Sequence, residues 1–162
     1  LAAFGVLTYR KYRDEGNKQV AGVAATADVT SDDGTAAVAA ARLEAVNLTT
    51  IDYKTTDAAV ARILAGATGT LKTQFTAQRA QLGPLLASTK STSVGSVLEA
   101  GLVKLSGSNA EVLVAVDASV TTQPAGTTKP QNAVKHYRMS MKLQHVGTSW
   151  LVSDVGFTGL AQ

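Results

Sequence analysis

The sequence predicts an α+β fold: N-terminal helices packed on a curved, four-stranded antiparallel sheet. Three observations point to it. From residue 36 to about residue 89, apolar side chains recur at helical spacing, and from Ser91 onward that period is gone. A period of two replaces it: Val112, Val114 and Val116 alternate with Leu113, Ala115 and Asp117, and Tyr137, Met139, Met141 and Leu143 alternate with Arg138, Ser140, Lys142 and Gln144. Short Gly/Ser/Thr turns join the later segments, so neighbouring strands are expected to run antiparallel.

Composition fits one domain with a modest extra segment. The chain has 162 residues, of which 45% are hydrophobic and 17% charged, enough apolar surface for a packed core and too little charge for general disorder. Aromatics make up only 5%, so the core must rest on Leu, Val and Ala. A net charge of +3 and a pI near 9.3 raise the question of nucleic acid. The basic residues are scattered and not interleaved with aromatics, so no stacking platform forms and no nucleic-acid partner is expected. With no cysteine, a disulfide framework and thiolate metal sites are ruled out.

Residues 1–30 read as the end of a transmembrane helix plus a juxtamembrane helical linker, and residues 31–162 as the α+β domain. The run from Leu1 to Tyr9 carries no charge and meets a basic cluster abruptly. A bilayer core needs roughly 20 helical residues, so this run is expected to be the end of a span that begins upstream. Tyr9 and Tyr12 then lie at the membrane interface, and Arg10, Lys11 and Arg13 at the lipid headgroups. Val20, Val23, Ala24 and Ala27 continue at helical spacing.

Asp33 or a neighbour is expected to cap a helix over residues 36–50, with Ala39, Leu43, Val46 and Thr50 on one side. Asp57 or Thr56 is expected to cap a short helix carrying Val60, Ile63, Leu64 and Ala67, stopped at Gly69. A third helix spans about 70–89, and Gly83-Pro84 inside it predicts a kink or break. Strands follow from Val94 to Leu105 and from Ala110 to Val120. A long polar loop, 121–131, leads to the last hairpin, which turns at Gly147-Thr148-Ser149. Trp150, Leu151 and Val152 are consecutive and apolar, so both faces of that strand are expected to be covered, and the Trp150 indole N–H is expected to find a partner.

Candidate chemistry is sparse. His136 and His145 are an odd number of residues apart on one strand, so they point to opposite faces and cannot share a metal. Asp32-Asp33 reads as a turn and capping pair. The Gly66 to Gly69 stretch is too short for a phosphate cradle, and Gly95-Ser96 lacks the second glycine of a nucleophile elbow. In an unbroken register Asp154 shares a face with Trp150 and Val152, where a carboxylate in an apolar cavity would act as a base; the plainer reading is a paired or solvated acid near a strand end. No catalytic residue, cofactor or metal is expected.

Several stretches together resemble a known family. Arg42 to Tyr53 (RLEAVNLTTIDY), Asp57 to Gly69 (DAAVARILAGATG), Phe75, Val112 to Asp117 (VLVAVD), Tyr137-Arg138-Met139 and Trp150 to Val155 (WLVSDV) are similar to the Mce-associated membrane proteins of mycobacteria and related actinobacteria. The likeness covers about residues 36–158. It implies a cone-shaped domain like those of nuclear-transport-factor-2-like and VirB8-like proteins. It also implies a single-pass inner-membrane protein whose C-terminal domain is extracytoplasmic, on the periplasmic side. The function it implies is non-enzymatic: assembly or stabilisation of an Mce-type lipid or sterol import complex, with transporter subunits or other membrane proteins, and membrane lipid, as partners. It carries over no site residues. Two other readings are a small cone-fold isomerase or dehydratase built on Asp154, by analogy of fold alone, and a VirB8-like component of a secretion scaffold.

Overall fold

The computed structural model describes residues 31–161. Residues 1–30, with the expected span end and the interface residues Tyr9, Arg10, Lys11, Tyr12 and Arg13, lie outside the described residues. No helix among the described residues is long and apolar enough to cross a membrane.

The first helix, α1 (Asp32–Thr49), is capped by Ser31, whose Oγ accepts from the Gly34 N–H at 3.0 Å. The cap is thus the neighbour of the Asp pair. Asp32 and Asp33 occupy the first turn, where negative charge complements the helix dipole. The buried stripe is Ala37, Ala41, Ala45 and Leu48. This corrects the expected face, since Leu43 is 64% exposed. Alanines surround this helix, and the small side chains that let it lie closest to the sheet win over the larger Leu43.

After α1 comes a strand of two residues, β1 (Ile51–Asp52), so the sheet has five strands where four were expected. The second helix, α2 (Thr56–Gly66), starts from Thr55 with no side-chain cap, so neither Asp57 nor Thr56 serves as one. It ends at Gly66, before Gly69, and buries Ala59, Val60 and Ile63. Gly69 has φ +50° and opens the third helix, α3 (Gly69–Ser88). That helix does not break at Gly83-Pro84. Pro84 removes one backbone hydrogen bond, yet the helix runs on to Ser88, and Leu86 is buried with Ile51 and Ala59.

Four long strands complete the chain: β2 (Thr92–Ser106), β3 (Asn109–Thr122), β4 (Gln131–Val146) and β5 (Ser149–Ala161). They form a meander in the order β1-β2-β3-β4-β5, each pair antiparallel. Gly107 and Gly147 adopt the left-handed conformation that tight hairpin turns require. The inner face carries Val112, Val114 and Val116 of β3, Met139, Met141 and Leu143 of β4, and Trp150, Val152 and Val155 of β5, all buried. Register shifts at Leu98 and Val103 in β2, and at Ser153 and Thr158 in β5, interrupt the ladders near both edges of the sheet. Bulges of this kind raise the local twist and bend the strand, which curls the sheet into a half-barrel. Helix α1 packs across β2, β3 and β5, α3 packs on β5, and α2 bridges the two helices. One main core fills the space between.

Candidate functional site

The two histidines do not converge. His136 lies on the outer face of β4, where its Nδ1 is 2.6 Å from Asp117 Oδ1 on β3. His145 stands at the opposite end of β4, edge-on to the Trp150 ring with centroids 5.1 Å apart. Among the described residues no cluster of His, Cys, Asp and Glu is arranged to hold a metal ion.

Asp154 is not where an unbroken register places it. Val152 pairs with Leu143, but Asp154 pairs with Lys142, and Ser153 is the extra residue between them. The bulge turns β5 over, so Val155 takes the inward position opposite Met141 and Asp154 moves to the outer face beside a lysine. The Ser153 hydroxyl donates to the Lys142 carbonyl at 3.1 Å. An acid–base role for Asp154 inside the cone loses its geometric basis.

The concave side is filled by the protein's own side chains. Leu71 and Phe75 of α3 and the alanine stripe of α1 close over Met139, Met141, Leu143 and Trp150. The buried polar residues there are Glu44, Thr49 and Ser93. Two of them form a splice between α1 and β2. Thr49 donates to the Ala45 carbonyl at 2.6 Å, and Ser93 donates to the Thr49 carbonyl at 2.7 Å. Gly95 lies against the Thr49 hydroxyl, and any Cβ there would collide with it.

Glu44 is the buried ionisable group that sequence reasoning missed. It is 1% exposed, its Oε2 accepts from the Asn47 amide at 3.1 Å, and its Oε1 has no hydrogen-bond partner among the described residues. Gly66 at the end of α2 packs directly on this carboxyl, leaving no room for a side chain. Burial pushes the Glu44 pKa up to about 7, with the Asn47 hydrogen bond pulling weakly the other way. A signal was present in the sequence: Ala41, Glu44, Ala45 and Leu48 follow the i, i+3, i+4, i+7 pattern of one helix face. The Trp150 indole N–H, expected to be paired, also has no hydrogen-bond partner among the described residues. Tyr137 and Phe157 lie with ring centroids 6.0 Å apart, and burial raises the Tyr137 pKa.

Residues 16–158 match the family described as "Uncharacterized protein Rv1363c/MT1408-like". The chain belongs to the Rv1363c/MT1408-like family. No curated protein matches it in sequence. Among solved structures, this family member is similar to the periplasmic domain of DotI, with a TM-score of 0.57 and 14% identity over 79% of this chain and 95% of that one. It is also similar to an IcmL-like type IV secretion system protein of Legionella pneumophila, with a TM-score of 0.56 and 10% identity over 77% and 91% of the two chains. A third similar structure is CagV of Helicobacter pylori, a VirB8 homologue, with a TM-score of 0.56 and 10% identity over 78% and 99%. At such identities the likeness concerns architecture. It places this Rv1363c/MT1408-like chain in the NTF2/VirB8-like fold, helices first and a curled antiparallel sheet after them.

Proposed function

We propose that the protein is a non-enzymatic scaffold domain of a membrane-associated complex in the cell envelope. The observation that carries this reading is the closed concave side. In a cone-shaped fold a cavity under the helices is the natural place for a ligand, and here α1 and α3 fill it with alanine, leucine and phenylalanine side chains. What remains on offer is surface, and proteins of this architecture include components of type IV secretion systems. In this reading the run before Arg10 tethers the chain to the inner membrane as a single span. Tyr9, Arg10, Lys11, Tyr12 and Arg13 sit at the interface, and residues 31–162 lie on the periplasmic side.

A second reading keeps the same anchoring but names an Mce-type lipid or sterol importer as the complex. It is favoured by the residue runs around Arg42 to Tyr53, Asp57 to Gly69 and Trp150 to Val155. The isomerase or dehydratase reading has lost its carboxylate to the outer face.

The test is affinity purification of the protein from native membranes, with identification of its companions, paired with a deletion strain. The scaffold reading expects membrane-complex subunits to copurify and to fall in abundance when the gene is deleted. Secretion-system subunits among the companions support the first complex, and importer subunits the second. Unchanged subunit levels in the deletion strain would contradict both.

A further inference from the structure

Glu44 is buried at a joint. Its carboxyl lies against Gly66, the last residue of α2. The next three residues tie the α2–α3 pair to the edge of the sheet. Ala67 forms a parallel bridge with Val152 of β5, and the Thr68 N–H donates to the Val152 carbonyl at 2.8 Å. Gly69, at φ +50°, lies against Ser153, the bulge residue of β5. Residues 66–69 are thus seated between a carboxyl of α1 and an irregular edge strand, with a glycine at each end to act as a hinge.

No base neutralises that carboxyl. Its one polar contact among the described residues is the uncharged Asn47 amide. On α1 itself, the Arg42 guanidinium turns to Glu99 of β2, 3.9 Å away, and Asp32 and Asp33 sit in the first turn. The charged residues of α2, Asp57 and Arg62, are exposed, as is Lys104 of β2. Glu111 and Asp117 of β3 and Asp154 of β5 take the outer face. On β4, Lys135, Tyr137 and His145 share the parity of the inward residues; Lys135 and His145 are exposed, and Tyr137 lies beside Phe157. The last turn of α2 carries no basic residue, so its free carbonyls present only the negative end of the helix dipole. A neutral carboxyl fits this joint. An ionised one is left without water or a counter-charge, which is the costly way to bury it.

We propose that Glu44 is a proton-controlled latch on the α2–α3 joint. With the carboxyl protonated, Gly66 stays seated and residues 67–69 stay on β5. Once the proton leaves, the carboxylate reaches water only when the joint lifts, so the Ala67–Val152 bridge and the Thr68 bond open together. The β2–β3–β4 ladders take no part in this, and the opening is local. The sign follows from the raised pKa: closure is fully supported below pH 4.5 and loses support as pH rises through about 7. The inference concerns this joint and not the complex the domain joins, so its failure leaves the scaffold reading standing.

Amide hydrogen exchange on the full chain tests it, read by NMR at pH 5 and pH 8 and corrected for the intrinsic pH dependence of exchange. The Thr68 N–H should open at least ~tenfold more often at pH 8. Low urea, below the unfolding transition, should leave that opening unchanged while it speeds exchange in the central β3–β4 ladder, because a local opening exposes little surface. Glu44→Gln, which stays neutral, should remove the pH effect. Gly66→Ala, which denies the carboxyl its space, should leave Thr68 poorly protected at both pH values. If either variant loses its fold by circular dichroism, the wild-type comparison decides alone. Thr68 protection that is the same at pH 5 and pH 8, or Thr68 exchange that follows the ladder amides through the urea series, overturns the proposal.

Discussion

Glu44 sets the protein's response to pH at the level of a single residue. Its carboxyl titrates near 4.5 when the chain is unfolded and at about 7 when folded. The folded state therefore holds the proton more tightly. Its stabilising contribution is complete below pH 4.5, declines as pH rises through about 7, and then levels off. At 1.36 kcal/mol per pKa unit the loss comes to ~3 kcal/mol. Urea melts at pH 5 and pH 8 should show the wild-type chain weaker at the higher pH and Glu44→Gln almost insensitive to the change. Gly95→Ala tests the splice between α1 and β2. The added methyl meets the Thr49 hydroxyl, and the overpacking should cost ~1–3 kcal/mol in the same melts. Both residues show where sequence reading reaches its limit. Glu44 sat on a legible helix face, but an acid there reads as solvated until its neighbours are known. Gly95 lay inside the expected strand from Val94 to Leu105 with nothing to mark its contact, because the helix end it accommodates lies more than forty residues earlier in the chain.

The elements themselves were mostly legible, and the misreadings have definite causes. β4 could be assigned because its inward residues are large and its outward ones polar, an alternation nothing else mimics. α1 was placed correctly but turned the wrong way, since alanine on all sides leaves the buried stripe undetermined and Leu43 drew the assignment. β1 was missed because two residues carry no period. Asp154 was put on the wrong face because one extra residue at Ser153 reverses everything after it, and bulges leave no mark in hydropathy. The uninterrupted α3 gives a test at this scale. Pro84 lies inside the helix, where proline costs ~3 kcal/mol, so Pro84→Ala should raise the midpoint of thermal unfolding. Ser31→Ala removes the bond to the Gly34 N–H and should cost ~1 kcal/mol, read as a lower midpoint in the same scan.

For the whole molecule, the two sides of the sheet divide the work. The concave side is spent on the core: helices of small residues come close, methionine and valine fill the gaps, and nothing reactive converges among the described residues. The outer side is left with patterned charge and isolated apolar side chains, Leu113, Val94 and Val134 among them. Fold class could be read from the order of helical and alternating segments. The division of labour could not, because it depends on which face of each strand the helices cover, and hence on register.

The most direct check on that division is copurification from native membranes, comparing the wild-type chain with Leu113→Glu, a change on the outer face that leaves the core untouched. The scaffold account predicts that the variant folds and reaches the membrane at wild-type levels but loses its companion subunits. Full retention of those companions by a folded Leu113→Glu chain would contradict the claim that the outer face is the working surface.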